Sequence, residues 1–149
     1  MRAVIQRVSN ASVEIEGRLT AKIGPGLLIY LGITKADSDN DAEFIADKMV
    51  NLRIFSDENG KMNRSIQEIG GQILLISNFT LYGDCRKGRR PGFDNAAQPA
   101  LAEKLYEKTG HFIVEKGIKL QKGIFGANMQ VSSINDGPVT FILDSCRLF

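Results

Sequence analysis

Two short segments of this 149-residue chain carry groups that could do chemistry: Ser77-Asn78-Phe79-Thr80-Leu81-Tyr82-Gly83 and Asn135-Asp136-Gly137-Pro138-Val139-Thr140. Each is fused to an apolar run of strand character, and together they describe a site built mostly from main chain. Ser77 and Thr80 fall just past a buried strand, where hydroxyls and exposed N–H groups can line a cleft. The same hydroxyls also suit an ordinary strand end. Gly137-Pro138 is equally ambiguous alone, because proline without an N–H can simply open a strand. As a site, its two carbonyls would be acceptors without donors, suited to a substrate ammonium.

Other chemistries lack their residues. The single histidine, His111, sits among apolar neighbours in a helical pattern, so a site of several imidazoles is impossible, and Cys85 and Cys146 have no C-x-x-C spacing. No metal site is expected. A Ser-His-Asp triad would have to use His111, and no G-x-S-x-G elbow accompanies it. Neither G-x-x-x-x-G-K-[ST] nor G-x-G-x-x-G occurs, so no nucleotide cofactor is expected.

The elements that must position these segments follow from hydrophobic periodicity. With 43% apolar and 24% charged residues the chain can bury one domain's core, and a net charge of +2 says nothing about partners globally. Locally, Arg86, Lys87, Arg89 and Arg90 put four cations into five residues. They could hold phosphates or form a solvated loop. No run of eighteen apolar residues and no secretory signal pattern appears, which predicts a cytoplasmic protein with free thiols and no membrane contact. Alternation predicts strands over residues 3–8, 11–16 and 19–23, and a central buried strand over 27–33, apolar on both faces. Asn40 followed by Glu43 predicts a capping box opening a helix that carries Phe44, Ile45, Met49 and Leu52. Asn59-Gly60 predicts a hairpin between residues 53–55 and 61–63. A buried strand over 72–76 runs into Ser77, a second helix spans 96–116 with Pro99 near its first turn and Gly117 as its stop, and three strands (118–123, 129–134, 139–143) close the chain. The fold class is a single mixed-sheet α/β domain over residues 1–149 with two main helices.

The chain resembles the D-aminoacyl-tRNA deacylases of the bacterial and eukaryotic type over its full length. The resemblance rests on Ser77-Asn78-Phe79-Thr80-Leu81 and Asn135-Asp136-Gly137-Pro138-Val139-Thr140, which are similar to the family signatures Ser-Gln-Phe-Thr-Leu and Asn-x-Gly-Pro-Val-Thr. The segments at residues 1–8, 87–91 and 125–129 are also similar to family segments. Asn78 departs from the usual glutamine and has one methylene less reach; Asn128 and Ser133 also depart. The resemblance implies a homodimer in which a cis Gly137-Pro138 bond reaches the partner's site. Ser77, Asn78, Phe79 and Thr80 would supply the rest of the pocket, and N–H groups near Phe79 and Thr80 would orient the ester. It further implies Arg7 as support for the Gly-Pro turn, Met129 as pocket wall, and an aminoacyl-tRNA substrate.

An aminoacyl ester is already activated, so positioning and oxyanion stabilisation suffice. Thr80 has no nearby base in the sequence to make it a nucleophile. Water attack assisted by the tRNA 2′-hydroxyl is therefore expected, with L-substrates rejected by clash at Gly137-Pro138 and glycine also removed. The loop of Arg86, Lys87, Arg89 and Arg90 becomes an acceptor-stem contact. Two alternatives stand beside this: a small-molecule esterase using Ser77 or Thr80 with His111 as base, and a non-catalytic tRNA-binding module.

Overall fold

The computed structural model describes residues 1–148. It contains β1 (Arg2–Ile15), β2 (Arg18–Ile23), β3 (Gly26–Gly32), α1 (Asp39–Asn51), β4 (Phe55–Ser56), β5 (Met62–Arg64) and β6 (Gln72–Ser77). A 3₁₀ turn (Phe79–Tyr82), α2 (Pro99–Glu115), β7 (Lys119–Lys122) and β8 (Gln130–Asp144) follow. One mixed sheet has the order β2-β1-β3-β6-β7, with β8 on the other side of β1; β4 and β5 form a separate hairpin. β3 and β6 are parallel and β3 is antiparallel to β1. The fully apolar run of β3 thus lies mid-sheet, where both faces are covered.

Two cores result. Ile5, Leu27, Ile29, Ile73 and Leu75 face α1 and α2, which contribute Ile45, Met49, Leu105, Tyr106 and Ile113. On the opposite face Val8, Val13, Ile23, Leu28, Leu74 and Ile76 form the second, because the long β1 carries β2 across towards β6 and β7. The buried hydroxyl of Tyr106 donates to the Leu75 carbonyl at 2.8 Å, so this bulky ring leaves no polar atom unsatisfied.

Several expectations are corrected here. The strands anticipated at 3–8 and 11–16 are one strand: the polar Ser9-Asn10 pair marks an irregularity in the β1–β8 register, not a turn. Residues 129–134 and 139–143 are likewise the two halves of β8. Helix α1 begins two residues earlier than the Asn40–Glu43 box requires. Ser38 is the cap, and Asp41 accepts its N–H (2.8 Å) and hydroxyl (2.7 Å), the shorter acid serving the same reciprocal geometry. In the β4–β5 hairpin only Gly60 has a positive φ; Asp57 organises the turn by accepting from the N–H groups of Asn59 and Lys61. Gly117, at φ 82°, follows α2 as its stop.

Among the described residues no helix is long and apolar enough to cross a membrane, and no cluster of three His, Cys, Asp or Glu could hold a metal. Cys85 and Cys146 are free and exposed.

Candidate functional site

β6 ends at Ser77, opposite Leu31 of β3, and the Asn78 N–H donates to the Leu31 carbonyl at 2.8 Å. The chain then coils into the 3₁₀ turn because Asn78 caps it. The Asn78 side-chain oxygen accepts from the Thr80 N–H at 3.1 Å and from the Thr80 hydroxyl. This pairing has two chemical consequences. The Thr80 hydroxyl gives its proton to an amide oxygen, which cannot activate it as a nucleophile, and the Thr80 N–H is already engaged. The Phe79 N–H donates to no group among the described residues.

Ser77, Asn78 and Phe79 line a cleft of about 580 Å³ whose other walls include Tyr30, Phe125 and Met129. Met129 fits because residue 123 is glycine: a Cβ there would lie 2.5 Å from the Met129 sulfur. The wall at Ala96 and Ala97 is held by the Ala97 N–H donating to the Ile33 carbonyl at 2.9 Å and by a β-bridge between Thr34 and Ala96. Thr34 is in turn fixed by Asp37, which accepts its N–H at 2.8 Å and pairs with the buried Met1 ammonium. Among the described residues no Asp, Glu, His, Lys, Arg or Cys lines the cleft. Its one titratable group is Tyr30, whose phenol burial pushes above its ordinary pKa and so keeps neutral.

His111 lies elsewhere. It is exposed on α2, 3.1 Å from Glu115, beside a groove against β7 that contains neither Ser77 nor Thr80. The esterase reading needs these groups in one place, and the fold separates them.

Gly137 and Pro138 do not line the cleft of their own chain. They belong to an outward bulge of β8: Gln6 pairs Thr140 and Val8 pairs Asn135, so residues 136–139 stand opposite the single residue Arg7. The Gly137-Pro138 bond is cis and Gly137 has φ 129°. Two side chains, Asn135 and Arg7, brace the bulge. Asn135 donates to the Thr140 hydroxyl (2.9 Å) and accepts the Val139 N–H (3.0 Å), clamping both ends. Arg7 donates to the Asp136 carbonyl (3.1 Å), pairs with the Asp136 carboxylate (3.2 Å) and reaches the Ile54 carbonyl (2.7 Å). The spacing of Asn135 and Thr140 about Gly137-Pro138 signalled these clamps, though sequence reading gave them no role.

The basic loop is closed by a two-way hydrogen bond between Asp84 and Gly92 (2.7 and 2.9 Å) and turns at Gly88, φ 71°. Arg86 is not available in the same way as its neighbours. Its guanidinium makes two bonds to Asp84 (2.9 and 2.7 Å) and holds that carboxyl down to about 2. A depressed carboxyl pKa keeps the pair ionised above the ordinary carboxylate range and loses it only as pH falls towards about 2. No ion pair engages Lys87, Arg89 or Arg90 among the described residues.

With this geometry in hand, comparison with known proteins is specific. The family model described as D-Tyr-tRNA(Tyr) deacylase matches residues 4–144. The chain is 55% identical over 149 residues to the D-aminoacyl-tRNA deacylase of Thermosipho africanus, covering 100% of both chains. It is 52% identical over 149 residues to that of Clostridioides difficile, again covering 100% of both. The solved structure of a protein named c-Myc DNA Unwinding Element Binding Protein matches with a TM-score of 0.91 at 38% identity, covering 97% of this chain and 98% of that one. The chain belongs to the D-Tyr-tRNA(Tyr) deacylase family.

Proposed function

We propose that the protein hydrolyses D-aminoacyl-tRNA, and glycine carried by tRNA, while sparing L-aminoacyl-tRNA. One observation carries the reading: among the described residues, the cleft beside Ser77, Asn78 and Phe79 has no Asp, Glu, His, Lys or Arg side chain to act as general base near neutral pH, and so none to activate the Ser77 hydroxyl as a nucleophile. Such a site suits an ester that is already activated. Water attacks the ester carbonyl, assisted by the neighbouring 2′-hydroxyl of the terminal ribose; the acyl C–O bond breaks, the ribose oxygen takes up a proton, and free amino acid and tRNA leave. The Phe79 N–H and the Asn78 NH₂ group are the donors for the developing oxyanion. Ser77 and Met129 bound the space around it.

The working enzyme is a homodimer in which Gly137 and Pro138 of one subunit complete the cleft of the other. Support comes from β8, an edge strand exposing Ile134 (59%), Phe141 (37%) and Ile142 (53%). Tyr30, Val4 and Ile142 are cross-strand neighbours, so an uncovered strip runs from the cleft wall to that edge. A second copy seated there would bring its bulge to the cleft, and the two carbonyls would take the substrate ammonium. An L side chain would then meet main chain, while a D side chain points away. Lys87, Arg89 and Arg90 take tRNA phosphates; Arg86 is spent on Asp84.

The test is release of amino acid from matched tRNA charged with D-tyrosine, L-tyrosine or glycine. Loss of the D-tyrosyl and glycyl esters at least about 100-fold faster than the L-tyrosyl ester is expected. Equal rates for both enantiomers would sink the chiral assignment. Thr80→Ala is expected to retain kcat within about tenfold, since its hydroxyl only bonds Asn78. Complete loss with tRNA binding intact would return Thr80 to the reacting atoms.

A further inference from the structure

The cationic loop and the cleft meet at one side chain. Phe93 follows directly on the Asp84–Gly92 closure, and its ring packs edge-on against Phe79, with centroids 5.0 Å apart at 66°. Both rings are exposed, Phe79 by 58% and Phe93 by 39%, so neither belongs to a core. Gly83 permits the approach: a Cβ there would lie 3.2 Å from the Phe93 ring and 3.0 Å from the Thr80 carbonyl. On its other side the Phe93 carbonyl accepts the Ala96 N–H at 3.0 Å, and Ala96 is cleft wall. Loop, Phe79 and cleft wall are therefore joined through one residue.

We propose that Phe93 is a positioning residue that locks the cationic loop to the cleft, so that Lys87, Arg89 and Arg90 meet backbone phosphates while the terminal ester lies beside Phe79. The inference rests on the deacylase reading and adds a coupling to it. Without Phe93 the loop keeps all its charge but loses its register with the site. A neutral side chain thereby controls an electrostatic contact.

The test measures kcat/KM on D-aminoacyl-tRNA and on the D-aminoacyl ester of free adenosine across a range of salt. The variants are Phe93→Ala, Arg89→Ala/Arg90→Ala and their combination. Each phosphate contact contributes about 0.7–0.9 to the slope of log kcat/KM against log salt, so Phe93→Ala is expected to flatten the tRNA slope by about 2. Its loss on tRNA should exceed its loss on the adenosine ester by about tenfold, and adding the two arginine changes should cost less than about threefold more. Phe93→Leu, which keeps apolar contact with Phe79, should recover most of the slope. Equal losses on both substrates, an unchanged slope, or additive losses in the combined variant would each overturn the coupling. A wild-type protein that hydrolysed neither ester would strike the deacylase reading instead.

Discussion

Equal amounts of two inactive variants, Gly137→Ala and Ser77→Tyr, are expected to recover about one quarter of wild-type activity when their subunits are mixed, the statistical yield of a two-fold assembly sharing its sites. Gly137 has φ 129°, where L side chains are rarely found, and a Cβ would lie 2.7 Å from Val139 Cγ2 and 3.1 Å from an Arg7 guanidinium nitrogen. Alanine must therefore displace the bulge that Arg7 and Asn135 brace, and a misplacement of about 1 Å can cost about 100-fold in rate. Ser77→Tyr fills the cleft beside Asn78 but leaves β8 untouched. In a mixed dimer, one of two sites combines the open cleft of the first chain with the sound bulge of the second. The measurement is deacylation of D-tyrosyl-tRNA after co-expression with two purification tags; mixed dimers isolated by both tags should carry about half of wild-type activity, which averages to about one quarter over the unseparated mixture. Mixed dimers as inactive as either parent would show that each subunit uses its own Gly137-Pro138, and the two-chain site would be wrong.

Gly26→Ala should destabilise the fold by roughly 3 kcal/mol or more, because the added methyl collides with main chain that cannot yield. Gly26 pairs with Gln72 at the start of the β3–β6 ladder, and its Cβ would lie 1.9 Å from the Gln72 carbonyl oxygen and 2.9 Å from the Gln72 nitrogen. For a domain of this size that loss lowers Tm by roughly 6–12 °C. Gly24→Ala is the control. Its nearest neighbour is the flexible Gln72 amide at 3.9 Å, so a change of no more than about 0.5 kcal/mol is expected. Thermal unfolding of both variants checks the pair, and similar Tm values for the two would mean that β3 and β6 do not approach this closely in solution. In the sequence, Gly24-Pro25-Gly26 reads simply as a turn. The two glycines are indistinguishable there and have different reasons in the fold.

The same division runs through the site. The strand leading into Ser77, the two helices and the buried character of β3 were legible because apolar spacing reports burial directly. Asn78 was visible as a shortened amide, but not as the cap that occupies both the Thr80 N–H and hydroxyl, since that depends on how the chain turns after β6. Arg86, Lys87, Arg89 and Arg90 look alike as letters; only Asp84, folded back over two residues, sets the first apart. Ser9-Asn10 and Asp136-Gly137-Pro138-Val139 look like breaks between strands, yet they are irregularities within β1 and β8, because a ladder continuing on both sides outweighs local turn chemistry.

By itself the sequence determined a single mixed α/β domain, the absence of histidine and cysteine clusters for metal or triad chemistry, and two segments similar to a deacylase family. Those follow from residue type, short-range spacing and periodicity, which are local properties. Only the tertiary structure decided that none of the described Asp, Glu, His, Lys or Arg side chains lines the cleft, that Gly137-Pro138 lies on a braced bulge outside the lining of its own chain's cleft, and that the Phe93 ring beside the cationic loop packs on Phe79. Each depends on contacts between residues far apart in the chain, and such contacts are set by strand register and close packing rather than by any local pattern of side chains.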